Sequence, residues 1–222
     1  MLKVVRFGFS MFGINTYVVY DPEAKEAAII DPGMSRKEEF EAMEKFIERE
    51  GLKVTHLINT HLHIDHAIAD NWVKAKYGVP VEAHEADAPL GARIMQQAQM
   101  FGVPAEDVAV DIERPLKEGD VVKIGSGELK VVHVPGHSQG SICLYDEADG
   151  FIIVGDALFQ GSIGRTDLPG GNHRQLVDAI KNKLLTLPRE TMVLSGHGDT
   201  TTIGREYDTN PCLISTLEHL LR

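Results

Sequence analysis

Apolar positions fall into two kinds of run along the chain. In "LKVVRFGF", "TYVVYD" and "EAAIID" they cluster or alternate over short β-rich stretches, and "DPEAK" between the last two carries turn residues, so an opening meander is expected. After "DPG" the period changes. Phe40, Met43, Phe46 and Ile47 recur at helical spacing, and Ser35 with Glu38 forms a candidate capping box, which predicts a helix from about Arg36 to Glu50. "VTHLI" is a buried strand leading into "NTHLHIDHAIAD", and "AIADNWVKAKYG" is a helix closing at Gly78.

The second half repeats this order loosely. "VPVEAH" is a strand, "EADAPLGARIMQQAQMFG" is mostly helical, and "VVKI", "LKVVHV", "SICLYD" and "FIIVGD" are four strands separated by turns. Asn172 is a candidate cap for "RQLVDAIKNKLL", where Leu176, Val177, Ile180 and Leu184 share one helical face. "TMVLSG" is a last strand and "NPCLISTLEHLL" a last helix. The strict alternation of a doubly wound sheet is missing, and an α/β fold of two sheets covered by outer helices suits the order better. With 222 residues, 43% of them hydrophobic, the whole chain 1–222 is expected to form one domain.

Charge narrows the partners. A net charge of −11 opposes a nucleic-acid backbone or an anionic membrane surface, so a small-molecule substrate is expected. The apolar residues of the first twenty positions are interrupted by Gly8, Ser10, Gly13 and Asn15, so neither a signal peptide nor a membrane span is expected. Cys143 and Cys212 show no paired spacing, which points to a reducing cytoplasm rather than a disulfide framework.

The chemistry lies at strand ends. In "THLHIDH", an extended backbone turns His61 and His63 toward one point with Asp65 leaning the same way, while His66, starting a helix, can face a second point. Three later strands each deliver one more donor: "VVHVPGHSQGS" presents His137, "FIIVGDALF" presents Asp156, and "TMVLSGHGD" presents His197. Five histidines and two aspartates exceed the need of one ion. Two ions would use them all: His61, His63 and His137 on the first, Asp65, His66 and His197 on the second, and Asp156 bridging. Imidazole and carboxylate without thiolate suit Zn best, with Fe or Mn open.

"THLHIDH" together with "PGHSQGS", "VGDALF" and "SGHGD" resembles the metallo-β-lactamase superfamily over nearly the whole chain, and "GxxGRTDxPGG" at Gly161–Gly171 is most similar to short bacterial glyoxalase II-like hydrolases. The resemblance implies an αββα sandwich with the metals at one edge of two mixed sheets, and the same seven ligands. Asp31 of "DPG" lies near the metals in that family, which implies that it orients a ligating histidine. Asp156 sets the chain apart from the antibiotic-hydrolysing members, which lack the bridging aspartate; the nucleolytic members carry an added substrate arm that has no counterpart here. Full-length glyoxalase II enzymes continue into a helical glutathione-binding domain, whereas about 25 residues follow His197. The resemblance therefore implies hydrolysis of an acyl-thioester, hydroxyacylglutathione-like, by a hydroxide held between two metals, with Asp65 and Asp156 taking part, and leaves glutathione recognition open. The competing expectation is a persulfide dioxygenase of the same superfamily, holding one iron on His61, His137 and Asp156.

Other polar residues are blander. His133 and His56 sit inside strand patterns as core or surface histidines, His84 precedes a helix as a cap or solvated residue, and His219 is expected to face solvent. His173 is equally a substrate contact or a helix start. Arg165 and Asp167 are expected to pair and stiffen the rim, and Met95, Met100 and Phe101 to form core or a hydrophobic substrate wall. Neither cysteine has an activating neighbour.

Overall fold

The computed structural model describes residues 1–9, 12–102 and 109–214. The meander forms as expected: β1 (Lys3–Phe9), β2 (Ile14–Tyr20) and β3 (Glu26–Ile30) pair antiparallel. Helix α1 (Lys37–Glu50) then crosses over, and β4 (Lys53–Ile58) adds parallel to β3. The start of α1 differs from the expected box by one residue. Glu39, not Glu38, reaches back, and its Oε2 accepts the N–H groups of Ser35 and Arg36 at 2.8 and 3.1 Å. Gly51 closes the helix in the left-handed region at φ 64°.

Short helices α2 (Ile64–Ala67) and α3 (Asp70–Tyr77) lead to β5 (Val81–Ala83), and α4 (Ala88–Gly91) with α5 (Ile94–Phe101) to β6 (Arg114–Pro115), completing a six-stranded sheet in the order β1 to β6. The second sheet comprises β7 (Val121–Ile124), β8 (Gly127–His133), β9 (Ile142–Asp146) and β10 (Phe151–Gly155). A small hairpin, β11 (Leu158–Phe159) and β12 (Ser162–Ile163), and helix α6 (His173–Ala179) precede β13 (Met192–Ser195), β14 (Thr201–Thr202) and α7 (Ile203–Thr209). The second sheet runs β14-β13-β10-β9-β8-β7. As expected, Asn172 caps α6, accepting the Gln175 N–H at 3.0 Å. The predicted last helix lies partly, and His219 wholly, outside the described residues.

Three apolar layers stack. Tyr17, Val19, Ile30 and Ile58 face Ile124, Leu129, Leu144, Phe151 and Ile153 between the sheets. On the other face of the first sheet, Val18, Tyr20 and Ile29 pack on Met43, Phe46 and Ile47 of α1. On the other face of the second, Ile152, Val154 and Val193 pack on Leu176, Val177 and Ile203 of α6 and α7. Alternate residues of one strand thus serve different layers, which is why β2, β9 and β10 are apolar nearly throughout. This is the αββα sandwich. Strands β3 and β4 of one sheet and β8, β10 and β13 of the other end at a shared edge, where every donor residue emerges. No helix among the described residues is long and apolar enough to cross a membrane.

Candidate metal centre

All seven donors gather at that edge. His61, His63 and His137 form one set and Asp65, His66, Asp156 and His197 another, each with ligand-capable atoms within 4.8 Å of one another. His137 Nε2 lies 2.9 Å from His63 Nδ1 and 3.2 Å from His61 Nε2. In the second set His197 Nε2 meets Asp65 Oδ2 at 3.0 Å. Asp156 stands between the sets: Oδ1 faces His66 Nε2 at 3.3 Å, and Oδ2 faces His137 Nε2 at 3.6 Å and His197 Nε2 at 3.7 Å.

The rings are oriented from behind. His66 Nδ1 donates to Asp31 Oδ2 at 2.9 Å, His137 Nδ1 to the Arg165 carbonyl at 2.7 Å, and His197 Nδ1 to the Gly13 carbonyl at 3.2 Å. With Nδ1 committed to these acceptors, each ring turns its Nε2 toward the centre. His61 is held through a relay: its Nδ1 donates to Thr60 Oγ1 at 3.2 Å, and that hydroxyl donates to Asp31 Oδ2 at 2.7 Å. Asp31 also accepts the Thr60 N–H at 2.7 Å, and its backbone adopts φ 53°, a left-handed conformation uncommon outside glycine and tolerated here by a short polar side chain.

Electrostatics separate the sets. Burial and the neighbouring His137 push His63 down to about 4, and burial and the charges of His66, His63 and His137 push His61 well below its ordinary range, which leaves both imidazoles neutral. Burial would raise Asp65 and Asp156, but His66 and His197 hold both below the usual carboxylate range. His66 is held well above its usual range against its burial by Asp156, Asp65 and Asp31. That carboxylate set demands positive charge. His66 Nε2 and Asp156 Oδ1 are buried with no hydrogen-bond partner, although they face each other. The neutral His61 and His63, the ionised carboxylates and two unpartnered buried atoms are what a pair of divalent cations would satisfy, displacing the proton that His66 otherwise holds among the carboxylates. Glycine keeps the space open, since a Cβ at Gly196 would collide with Asp156 Oδ1 and lie 2.6 Å from His66 Cε1.

The centre floors a cleft of about 350 Å³ walled by Phe12, Leu90, Met100, Phe101 and Leu168, with Arg93, Gln97 and Arg165 at its polar positions. Met100 and Phe101 are thus the wall that one reading of α5 expected, whereas Met95 is half-buried and away from the cleft. Arg165 and Asp167 pair through two bonds of 2.8 and 2.7 Å, and the same loop supplies the carbonyl that fixes His137. His173 opens α6, exposed and not among the residues that line the cleft. His56 binds Glu82 at 2.7 Å, and His133 stacks on His84 at 4.1 Å; none of the three belongs to either donor set. Sequence reasoning missed Thr60, Gly196 and Asp87, of which Thr60, directly before His61, was the one a motif could have flagged.

A sandwich of two mixed sheets with a buried His/Asp metal site at one edge defines a class of metal-dependent enzymes. Residues 11–197 match the model of the metallo-beta-lactamase superfamily, and the chain belongs to that family. It is similar to the hydroxyacylglutathione hydrolase GloC of Haemophilus influenzae, with 38% identity over 92% of this chain and 94% of that protein. Among solved structures it is similar to the BLEG-1 B3 metallo-beta-lactamase, with 36% identity over 96% of this chain and 99% of that one at a TM-score of 0.83. TTHA1623, solved in a di-iron-bound form, gives 35% identity over 93% and 98% at 0.81.

Proposed function

We propose that the protein is a dinuclear metallohydrolase that cleaves a small acyl-thioester. The observation that carries the reading is Asp156, whose Oδ1 faces His66 of one donor set while Oδ2 lies between His197 of that set and His137 of the other, a placement that one ion would not require. His61, His63 and His137 would hold one ion, Asp65, His66 and His197 the other, and Asp156 would reach both. A bound ion pair supplies Lewis acidity, making a shared water acidic and polarising an acyl carbonyl. Zn suits the donors best, and the di-iron form of TTHA1623 keeps Fe in view, with Mn as the third option.

The chain's own residues do the rest. The Asp65 carboxylate borders the cleft and is held ionised by His66 and His197, so it can accept a hydrogen bond from the attacking water and orient it. Phe12, Leu90, Met100 and Phe101 offer an apolar wall for the acyl or thiol chain and exclude water from the reacting carbonyl. The name of the GloC relative supports a thioester, and the net charge of −11 supports a small molecule over nucleic acid. Cys143 and Cys212 form no disulfide, which suits the cytoplasm.

The test is thioester hydrolysis, followed by released thiol, in protein of measured metal content. Asp156→Ala and His63→Ala are expected to lower turnover by at least ~10³-fold, about 4 kcal/mol of barrier. Near-normal turnover in either variant sinks the reading. Because BLEG-1 is named a β-lactamase, a β-lactam belongs in the panel, and faster cleavage of it than of any thioester would replace the thioester. One iron per chain with oxygen uptake on a persulfide would replace hydrolysis by dioxygenation.

A further inference from the structure

Asp87 closes a 3₁₀ turn, Glu85–Asp87, that runs directly into α4, where its side chain could still accept a helix N–H. It makes no such bond. Its carboxylate, buried to 1% exposure, turns the other way and accepts three hydrogen bonds. Oδ2 takes the Leu62 N–H at 3.0 Å and the Ser138 hydroxyl at 2.8 Å, and Oδ1 takes the Gly140 N–H at 2.6 Å. Leu62 lies between His61 and His63, and Ser138 follows His137. One carboxylate therefore grips the backbone between two donors of the three-histidine set and the residue next to the third.

Those donors come from opposite sheets. His61 and His63 follow β4 of the first sheet and His137 follows β8 of the second, so Asp87 spans the seam between them. The surroundings are built to this contact. A Cβ at Gly140 would lie 2.6 Å from Asp87 Cγ, and the Ser138 hydroxyl also lies 2.8 Å from Ser141 Oγ, so its own hydrogen is free for Asp87 while Ser141 donates to it. On the far side of Leu62, Gln97 Nε2 donates to its carbonyl at 3.2 Å. Asp31 holds the second set directly through His66; no other buried carboxylate among the described residues bonds the His61–His63 backbone.

We infer that Asp87 is a positioning residue for the three-histidine metal set, holding His61, His63 and His137 at one point across the two sheets. The inference rests on the two-ion reading above. Its test is metal binding by metal-free protein titrated with Co²⁺, with affinities from chelator competition and each set identified by its visible absorption. His63→Ala and His197→Ala supply the reference spectra for a lesion in either set.

In Asp87→Ala the three-histidine set should bind about 10- to 100-fold more weakly, the usual effect of losing a group that orients ligands. The other set should change less than about threefold, and the remaining spectrum should match that of His63→Ala. Ser138→Ala, which removes one bond of the three, should weaken the same set by a smaller factor and decides the matter if Asp87→Ala does not fold. Glu206→Gln is the control for lost buried hydrogen bonds in general. Glu206 is fully buried and accepts from Gly161, Thr201 and Asn210, none of them a donor residue or adjacent to one, so its loss should lower the melting temperature with both affinities kept. Equal weakening of both sets in Asp87→Ala, or none beyond threefold in either variant, overturns the inference. One Co²⁺ per wild-type chain would sink the two-ion reading separately; Asp87 then stands only if Asp87→Ala weakens that ion as His63→Ala does.

Discussion

Adding one methyl group at Gly196 should empty half of the centre. The backbone there lies outside the left-handed region, so alanine introduces no conformational strain, and the whole effect comes from where the new carbon lands. It would lie 2.6 Å from His66 Cε1, against an ordinary carbon–carbon contact of roughly 3.5–4.0 Å, and it would collide outright with Asp156 Oδ1. About 1 Å of movement must be absorbed by one ligand or both, whereas ligand distances tolerate only about ±0.2 Å. Overpacking costs about 1–3 kcal/mol, a melting temperature lower by roughly 2–12 °C in a domain of this size. Displacing the reacting geometry by ~1 Å costs ~10²-fold or more in rate.

Gly198, two residues on, is the matched control. It has φ 72° with open space around it, so Gly198→Ala costs roughly 1–2 kcal/mol of backbone strain and touches no ligand. Metal per chain, thioester turnover and thermal melts are measured for both variants. Gly196→Ala should lose about one ion per chain and at least ~10²-fold in turnover, while Gly198→Ala melts lower with full metal and activity. Wild-type metal and turnover in Gly196→Ala, or equal metal loss in Gly198→Ala, would refute the reasoning.

Asp31→Asn keeps a side chain that tolerates φ 53° but sets an amide NH₂ against the Thr60 N–H or the His66 Nδ1–H; metal affinity by chelator competition should fall about 10- to 100-fold, or ~1.4–2.7 kcal/mol. Asp70 is fully buried, one of its oxygens lacks a partner, and burial raises its pKa well above the ordinary value. The folded state therefore holds this proton more tightly than the unfolded chain, and stability from the protonated acid is full below pH ~4 and lost as pH rises through the folded pKa. Asp70→Asn removes that loss, so denaturant unfolding should show the variant gaining on wild type as pH rises from 4 to 8; a gain that shrinks with pH would be the wrong sign. Phe101→Asp puts a charge on the cleft wall and should raise KM for apolar acyl-thioesters about tenfold or more, out of the ~1.5–3 kcal/mol that burying a phenylalanine is worth, with kcat little changed.

What was legible in the chain was what periodicity and strand ends encode. The bounds of α1 and the caps at Gly78 and Asn172 followed from local rules, and seven donors at strand termini met because strands of one direction end at one edge. The rest depended on contacts between segments far apart in sequence. The capping partner of α1 was off by one because the helix takes Arg36, not Ser35, as its N-cap, which places Glu39 three residues on. Helix α7 escaped notice because Gly204 and a run of polar residues blur its apolar face, and the β11–β12 hairpin because its strands have two residues each. Asp87 carries no local sign of its role, since its partners lie 25 and 51 residues away. His173, equally a substrate contact or a helix start by sequence, does begin α6, and the cleft is lined from that loop by Arg165 and Leu168.

The position of the donors at a seam has a consequence for assembly. Four of them leave the first sheet and three the second, so neither half of the chain can bind the ions as proposed with its own residues. A slip of one sheet past the other by a single residue, about 3.3 Å, would part the two groups. On the two-ion proposal, ion capture would therefore act as a checkpoint on folding: a molecule whose halves had docked out of register would be left without its metals, and one that had captured them would already have proved its register.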